Sequence, residues 1–491
     1  MISHFAAATR LAVLALLASL VGGCGTDGAA FRAATNDAGT AAHGGVDPGG
    51  SIAQGSGGTG GSGNSGHAGA GGLSGTNQSP DAHAGGGPGA LGDGGAPRHF
   101  RLATTGAQLV VTGSALGLQL TPANVADDSD VMAVHQEFYG VPWDAFEAET
   151  PPPAPWVSVM DGLASATRSA KKPVFLSVSL LNGQRQSLAA KTKIENGEVK
   201  TTDGWSASCY DFRTAPDSAS KEAAYLRYVT YMVDEFAPAY LNVAIEVNLF
   251  FEKCPSAGPG LVAVVNRVYD AVKKRAPKTL VFPSFQIDHL YGYSKDSCAD
   301  ATKRSACFDA AYAVIAPMRR DRFAMSSYPY MDEVGTVSNL PGDWFTRGAA
   351  RASETPLIAE TGWLSTDLVV RAKNGTCPKI FSFDEKESAA YLGRVLGDAD
   401  SAGLDLVTWW SDRDLVVSDL MTNCPCTFDA TWCTVLDIFR GPASLGPTDT
   451  QLFGELLLKA FGTMGLRTYD GTPKAGHLAL WHAALARPLA P

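Results

Sequence analysis

The sequence predicts a (β/α)8 barrel with enlarged loops, an α/β fold running from Arg98 to Pro491 and preceded by a disordered Gly-rich tether. Three observations carry that expectation. From Val131 onward, short apolar, β-branched runs alternate with longer segments of helical period, the pattern of a parallel sheet wrapped by helices. Ionisable and aromatic residues gather at the ends of those runs, where such a barrel collects its chemistry. Ahead of them, 25 of the chain's 53 glycines fall in the 73 residues from Gly25 to Pro97, with Phe31 the one aromatic residue and Arg32 the one basic residue. That stretch holds too little apolar surface to offset the entropy of ordering it.

The strand candidates follow in order: Val131 to Phe138, Pro173 to Leu180, Tyr240 to Val247, Thr279 to Phe285, Phe323 to Tyr328, Pro356 to Glu360 and Leu404 to Trp410. Between them lie helical patterns at Ser218 to Phe236, Gly260 to Arg275, Phe308 to Arg319 and Glu385 to Ala402, then Gln451 to Phe461 and a last helix from Lys474 to Ala486. These are seven strands. The eighth has to come from Gln108 to Leu120, which reads more like paired strands than like a strand and a helix. A doubly wound open sheet is the alternative, but it usually announces itself by a Gly-rich phosphate turn, and the domain contains neither that nor a Walker-type loop.

Before the domain, Arg10 precedes a mostly apolar run from Leu11 to Val21 and the residues Gly22, Gly23 and Cys24. The run has the layout of a signal peptide and is too short for a stop-transfer helix. Val21-Gly22-Gly23-Cys24 resembles the bacterial lipobox, which implies a lipoprotein signal over residues 1–23, lipidation of Cys24, a linker over 24–97 and a domain over 98–491. The expected location is the bacterial cell envelope, with the domain exported and lipid-anchored. An ordinary secretory signal with a chance cysteine is the bland alternative.

The formal charge is −10, to which the tether contributes −4 and the signal +1, leaving −7 on the domain. A phosphate-backbone binder needs clustered Lys and Arg, and Lys273, Lys274 and Arg275 sit where cations suit a helix C-terminus, so no nucleic-acid partner is expected. Beyond Cys24, eight cysteines remain. An even number in an exported chain suggests disulfides; Cys298 with Cys307 is the local pair, and Cys209 with Cys254 could tie the loops after the third and fourth strands. A zinc site at Cys424, Cys426 and Cys433 is the rival, but no pair has the two-residue gap and no histidine lies near. No metal, no cofactor and a monomeric chain are expected.

Four strand ends carry chemistry. LNVAIEVN brings Glu246 and Asn248; PLIAETGW brings Glu360 and Trp363; FAMSSYPY brings Tyr328; LDLVTWW brings Trp409 and Trp410. A glutamate closing an apolar strand is costly to bury unless it is paired or used. Paired carboxylates are what glycoside cleavage requires, one protonating the departing oxygen and the other attacking the anomeric carbon or activating water. Each glutamate could instead bind an arginine or cap a helix. One of Trp409 and Trp410 should face the site as a stacking platform, since neighbouring strand residues point opposite ways. His135 and Gln136 pose the same choice, and Gln136 is taken as a hydroxyl ligand while a lone histidine is read as structural.

The order of Glu246, the SYPY strand, the ETGW strand, the Trp pair and the tail MGLRTYDGTPKAG resembles the clan A retaining glycoside hydrolases, nearest to arabinogalactan endo-β-1,4-galactanases and related endo-glycanases. The resemblance covers about Val131 to Ala486. It implies a polysaccharide substrate, Glu246 as acid/base, Glu360 as nucleophile, Tyr328 as the hydroxyl that orients it and Trp409 or Trp410 as platform. One departure stands out: the clan places Asn directly before the acid/base, where this chain has Ile245. A barrel that kept carbohydrate binding and lost the chemistry is the rival reading.

Overall fold

The computed structural model describes residues 96–490 apart from 106, 113–114, 121, 294, 299, 333–335, 371–378 and 418–460. The expected signal, Cys24 and nearly all of the tether therefore lie outside the described residues, as do the helix expected from Gln451 and Cys377, Cys424, Cys426 and Cys433.

Eight parallel strands make the body: β1 (Arg101–Thr105), β2 (Val131–His135), β3 (Val174–Ser177), β4 (Tyr240–Asn242), β5 in two halves (Leu280–Phe282 and Ser284–Gln286), β6 (Phe323–Ser327), β7 (Pro356–Thr361) and β8 (Leu406–Trp409). Each pairs with its neighbour in sequence, β1 also pairs with β8, and the sheet begins and ends on the two halves of β5. Pro283 causes that split, because a proline has no N–H to give a ladder. The ring is thus closed through β5, and the fold is the expected (β/α)8 barrel.

The barrel interior is filled by Ala103, Val131, Ala133, Phe175, Tyr240, Phe282, Ala324, Leu357, Ala359 and Leu406, all buried, with the bulky rings of Phe175, Tyr240 and Phe282 on one side and small alanines on several of the other strands. A larger apolar layer joins the strands to the outer helices, among them Ser218–Phe236, Gly258–Arg275 and Glu385–Ala402. The last of these starts at Asp384, whose side chain accepts from the Glu387 N–H, and stops at Gly403 in the left-handed region. Arg98 pairs with Asp130 at 2.6 Å, and the backbone N–H of Arg98 donates to Pro488, so the first described residues are tied to the last.

Two expectations change, and one hairpin was not foreseen. The first barrel strand is Arg101–Thr105; the Gln108 to Leu120 segment forms an antiparallel hairpin, Ala107–Thr112 with Ala115–Leu120, joined by Val416–Val417. A second hairpin, Lys191–Glu195 with Glu198–Thr202, lies in the loop after β3. β4 ends at Asn242, so Glu246 sits in the turn beyond it. Both expected disulfides are present, Cys209–Cys254 and Cys298–Cys307.

Candidate active site

Inward-facing positions can be followed up each strand by steps of two. On β2, Val131 and Ala133 face the interior and His135 continues that row. On β6, Ala324 leads to Ser326 and then to Tyr328; on β8, Leu406 leads to Thr408 and Trp410. On β7 the same rule would bring Thr361 inward after Leu357 and Ala359, but the register against β6 slips by one residue, with Ile358 opposite Met325 and Glu360 opposite Ser326. This bulge re-aims the end of β7 and sets Glu360 on the face that carries Ser326.

Around Glu360 the partners come from β2 and β6. Tyr328 Oη donates to Glu360 Oε2 at 3.3 Å, and His135 Nε2 lies 3.4 Å from Glu360 Oε1. Burial, with the charges of Glu360 and Glu246, holds the Tyr328 hydroxyl well above its usual pKa, so it remains a donor. Among the described residues neither ring nitrogen of His135 has a hydrogen-bond partner, nor does the indole N–H of Trp410, whose ring meets His135 edge-on at 4.9 Å.

Glu246 is completely buried. Its backbone is left-handed (φ 50°), its N–H donates to Ser284 Oγ, and the turn swings the carboxyl between two donors. Ser326 Oγ donates to Oε1 at 2.7 Å and Arg185 to Oε2 at 3.3 Å. Burial pushes this carboxyl up to about 7; the Arg185 cation opposes that and the Glu360 charge adds to it. Arg185 also faces a third carboxylate, Glu137, at 3.8 Å, which burial raises as well.

Sequence reasoning missed Glu137 and Arg185 and set His135 aside. The signal for His135 was its place two residues past Ala133. Glu137 lies two residues further still, while Arg185, in a long loop after β3, carries no periodic mark.

Four expected ligands are otherwise employed. Asn248 is buried, with its Nδ2 on the Gln286 carbonyl and its Oδ1 on the Gln286 N–H, which braces the turn after β4 against β5. Gln136 donates to the Gly140 carbonyl and accepts from Tyr228 Oη. Trp409 points away from the interior: its N–H donates to the Met464 carbonyl and its ring packs on Tyr391 and His477. Trp363 is buried against Tyr330 and Tyr391. Of the two tryptophans it is Trp410 that reaches the mouth. The residue directly before Glu246 is Ile245, fully buried, and the nearest preceding amide, Asn242, donates its Nδ2 to Ser284 Oγ.

No protein-family model matches the chain, and no curated protein matches it. Solved structures similar to it include the exo-β-1,4-mannosidase Op5Man5 from Opitutaceae bacterium strain TAV5 (15% identity, TM-score 0.47, 80% of this chain and 60% of that one). A GH5_18 protein from Bifidobacterium longum subsp. infantis matches at 13% identity and TM-score 0.44 over 75% of this chain and 73% of that one. A fungal β-1,4-galactanase structure matches at 13% identity and TM-score 0.43 over 78% of this chain and 99% of that one. This chain spans about 60% of the length of the mannosidase.

Proposed function

We propose that this barrel is an exported glycoside hydrolase that cleaves a polysaccharide or oligosaccharide by a retaining, double-displacement mechanism. The observation that carries the reading is the pair of buried carboxyl groups at one barrel mouth, Glu246 and Glu360, held in different surroundings. Giving two neighbouring carboxyls different surroundings is how such a site divides acid from nucleophile. Glu246, raised to about 7, keeps its proton near neutrality and delivers it to the departing glycosidic oxygen. Glu360 attacks the anomeric carbon as that bond breaks, forming a glycosyl ester. Glu246, now ionised, takes a proton from water, whose oxygen attacks the anomeric carbon and frees Glu360. Tyr328 steadies the Glu360 charge, and Trp410, beside His135, offers the sugar an apolar face.

A non-catalytic carbohydrate-binding barrel is the second reading, favoured by the complete burial of Glu246 and by Ile245 in the place of an amide. Reducing-sugar release from a panel of β-mannans, β-galactans, β-glucans and xylans separates the two. Release that is lost in Glu360→Ala supports the hydrolase; binding with no release from any member supports the second reading. The same proposal places the protein at the cell envelope through a lipidated Cys24, as a monomer with no cofactor.

A further inference from the structure

The buried acid/base does not stand alone with its partner. Arg185 is 1% exposed in its side chain and bridges two carboxylates that come from different loops, Glu246 after β4 and Glu137 after β2. Its placement is enforced. The residue is left-handed (φ 52°), and its Nη1 donates to the Asn182 carbonyl. The flanking loop is pinned on both sides, by the Cys209 N–H on the Gln186 carbonyl and by Lys253 Nζ on the Gln184 carbonyl at 2.6 Å. Cys209 and Cys254 close the same clasp covalently. A recess beside it is lined by Gln136, Glu137, Asn182 and Arg185. Glu137 Oε2 and Arg185 Nε have no hydrogen-bond partner there among the described residues. A cation this deep with one carboxylate would be a plain ion pair. With two, its charge is divided.

We propose that Glu137 is a positioning residue for the proposed glycoside hydrolysis: by drawing on Arg185 it withholds part of that cation from Glu246 and so keeps the proton on the acid/base. The inference rests on the roles assigned to Glu246 and Glu360. The charged and titratable groups facing this cluster are Glu360 from β7, His135 from β2, Tyr228 from the helix before β4, Tyr328 after β6 and Lys253 from the helix after Glu246. Within this cluster, among the described residues, only Glu137 and Glu246 are joined through a common guanidinium.

The two ends of the bridge should act in opposite directions. Glu137→Gln keeps the shape but leaves Arg185 wholly to Glu246, which favours the carboxylate and moves its midpoint down. Arg185→Gln removes the cation and moves it up; Arg185→Lys restores most of the wild-type value. The experiment is a pH titration of glutamate side-chain carboxyl 13C resonances in the whole chain, with the Glu246 signal identified by its loss in Glu246→Gln. Opposite shifts, each of about one pH unit, support the proposal. An unmoved midpoint in Glu137→Gln, or a shift of the same sign in both variants, overturns it. Should Arg185→Gln fail to fold, the downward shift in Glu137→Gln and the Arg185→Lys value decide. The readout needs no substrate, so absence of hydrolysis would count against the proposed function and leave this proposal to the titration.

Discussion

Ser326 Oγ donates to Glu246 Oε1 at 2.7 Å, although Ser326 stands in register with Glu360 on the neighbouring strand. The hydroxyl opposite the proposed nucleophile therefore holds the proposed acid. Because a hydrogen bond to the charged form favours it, Ser326→Ala should raise the Glu246 midpoint and shift the alkaline limb of kcat/KM upward. It should also cost about 1–3 kcal/mol in urea unfolding at pH 8, where an ionised buried oxygen is left unpaired.

Glu246 titrates in the wrong direction for stability. Its ordinary value of 4.5 is raised to about 7 in the fold, so between these pH values the folded protein holds a proton that the unfolded chain has released. Stability from this group is greatest below pH 4.5 and falls as pH rises through 7, by up to about 1.4 kcal/mol per pH unit. In thermal melts, Tm of Glu246→Gln relative to the unaltered protein should therefore climb from pH 5 to about pH 7 and level off by pH 8. A constant difference would show that Glu246 is ionised in the fold throughout.

The Cys209–Cys254 bridge spans 45 residues of sequence and clasps the Arg185 loop to the helix after Glu246. Replacing both with Ser should destabilise by about 2–4 kcal/mol. Proteolysis should then cut first between Leu181 and Ser208, which mass spectrometry of the fragments would locate. The Cys298–Cys307 bridge closes a much shorter span, 9 residues, and replacing both of its cysteines with Ser should leave the Arg185 loop as resistant as before.

Cys24→Ser should move the protein from the membrane fraction to the soluble exported fraction with its activity unchanged, as judged by fractionation and immunoblot. A variant that stays with the membrane would argue against lipidation at this position.

Much of the barrel was legible because the strands from Val131 onward are short, mostly apolar runs of the right length; β1, Arg101–Thr105, opens on an arginine and closes on two threonines and was not read as one, although Ala103, Ala133, Ala324 and Ala359 are the small residues that a crowded interior needs. That row also foretells His135 and Trp410, each an even number of residues past an inward neighbour. The fine geometry was not legible. Glu360 faces the site only because a one-residue slip against β6 reverses the phase of β7, and nothing in the local sequence marks that slip. Glu246 was chosen as a strand end, yet it reaches the site through a left-handed turn four residues past the end of β4. Arg185 comes from a loop whose path is set by a disulfide and by contacts distant in sequence, which periodicity does not describe.

The central claim is that Glu360 attacks carbon. It is tested most directly by Glu360→Ala acting on the dinitrophenyl β-glycoside that the unaltered protein hydrolyses best, in the presence of azide, with products followed by proton NMR. The account predicts a variant nearly dead without azide and rescued with it to give the α-glycosyl azide, while the unaltered protein releases the β-sugar first. Full activity in the variant, or release of the α-sugar first by the unaltered protein, would contradict it.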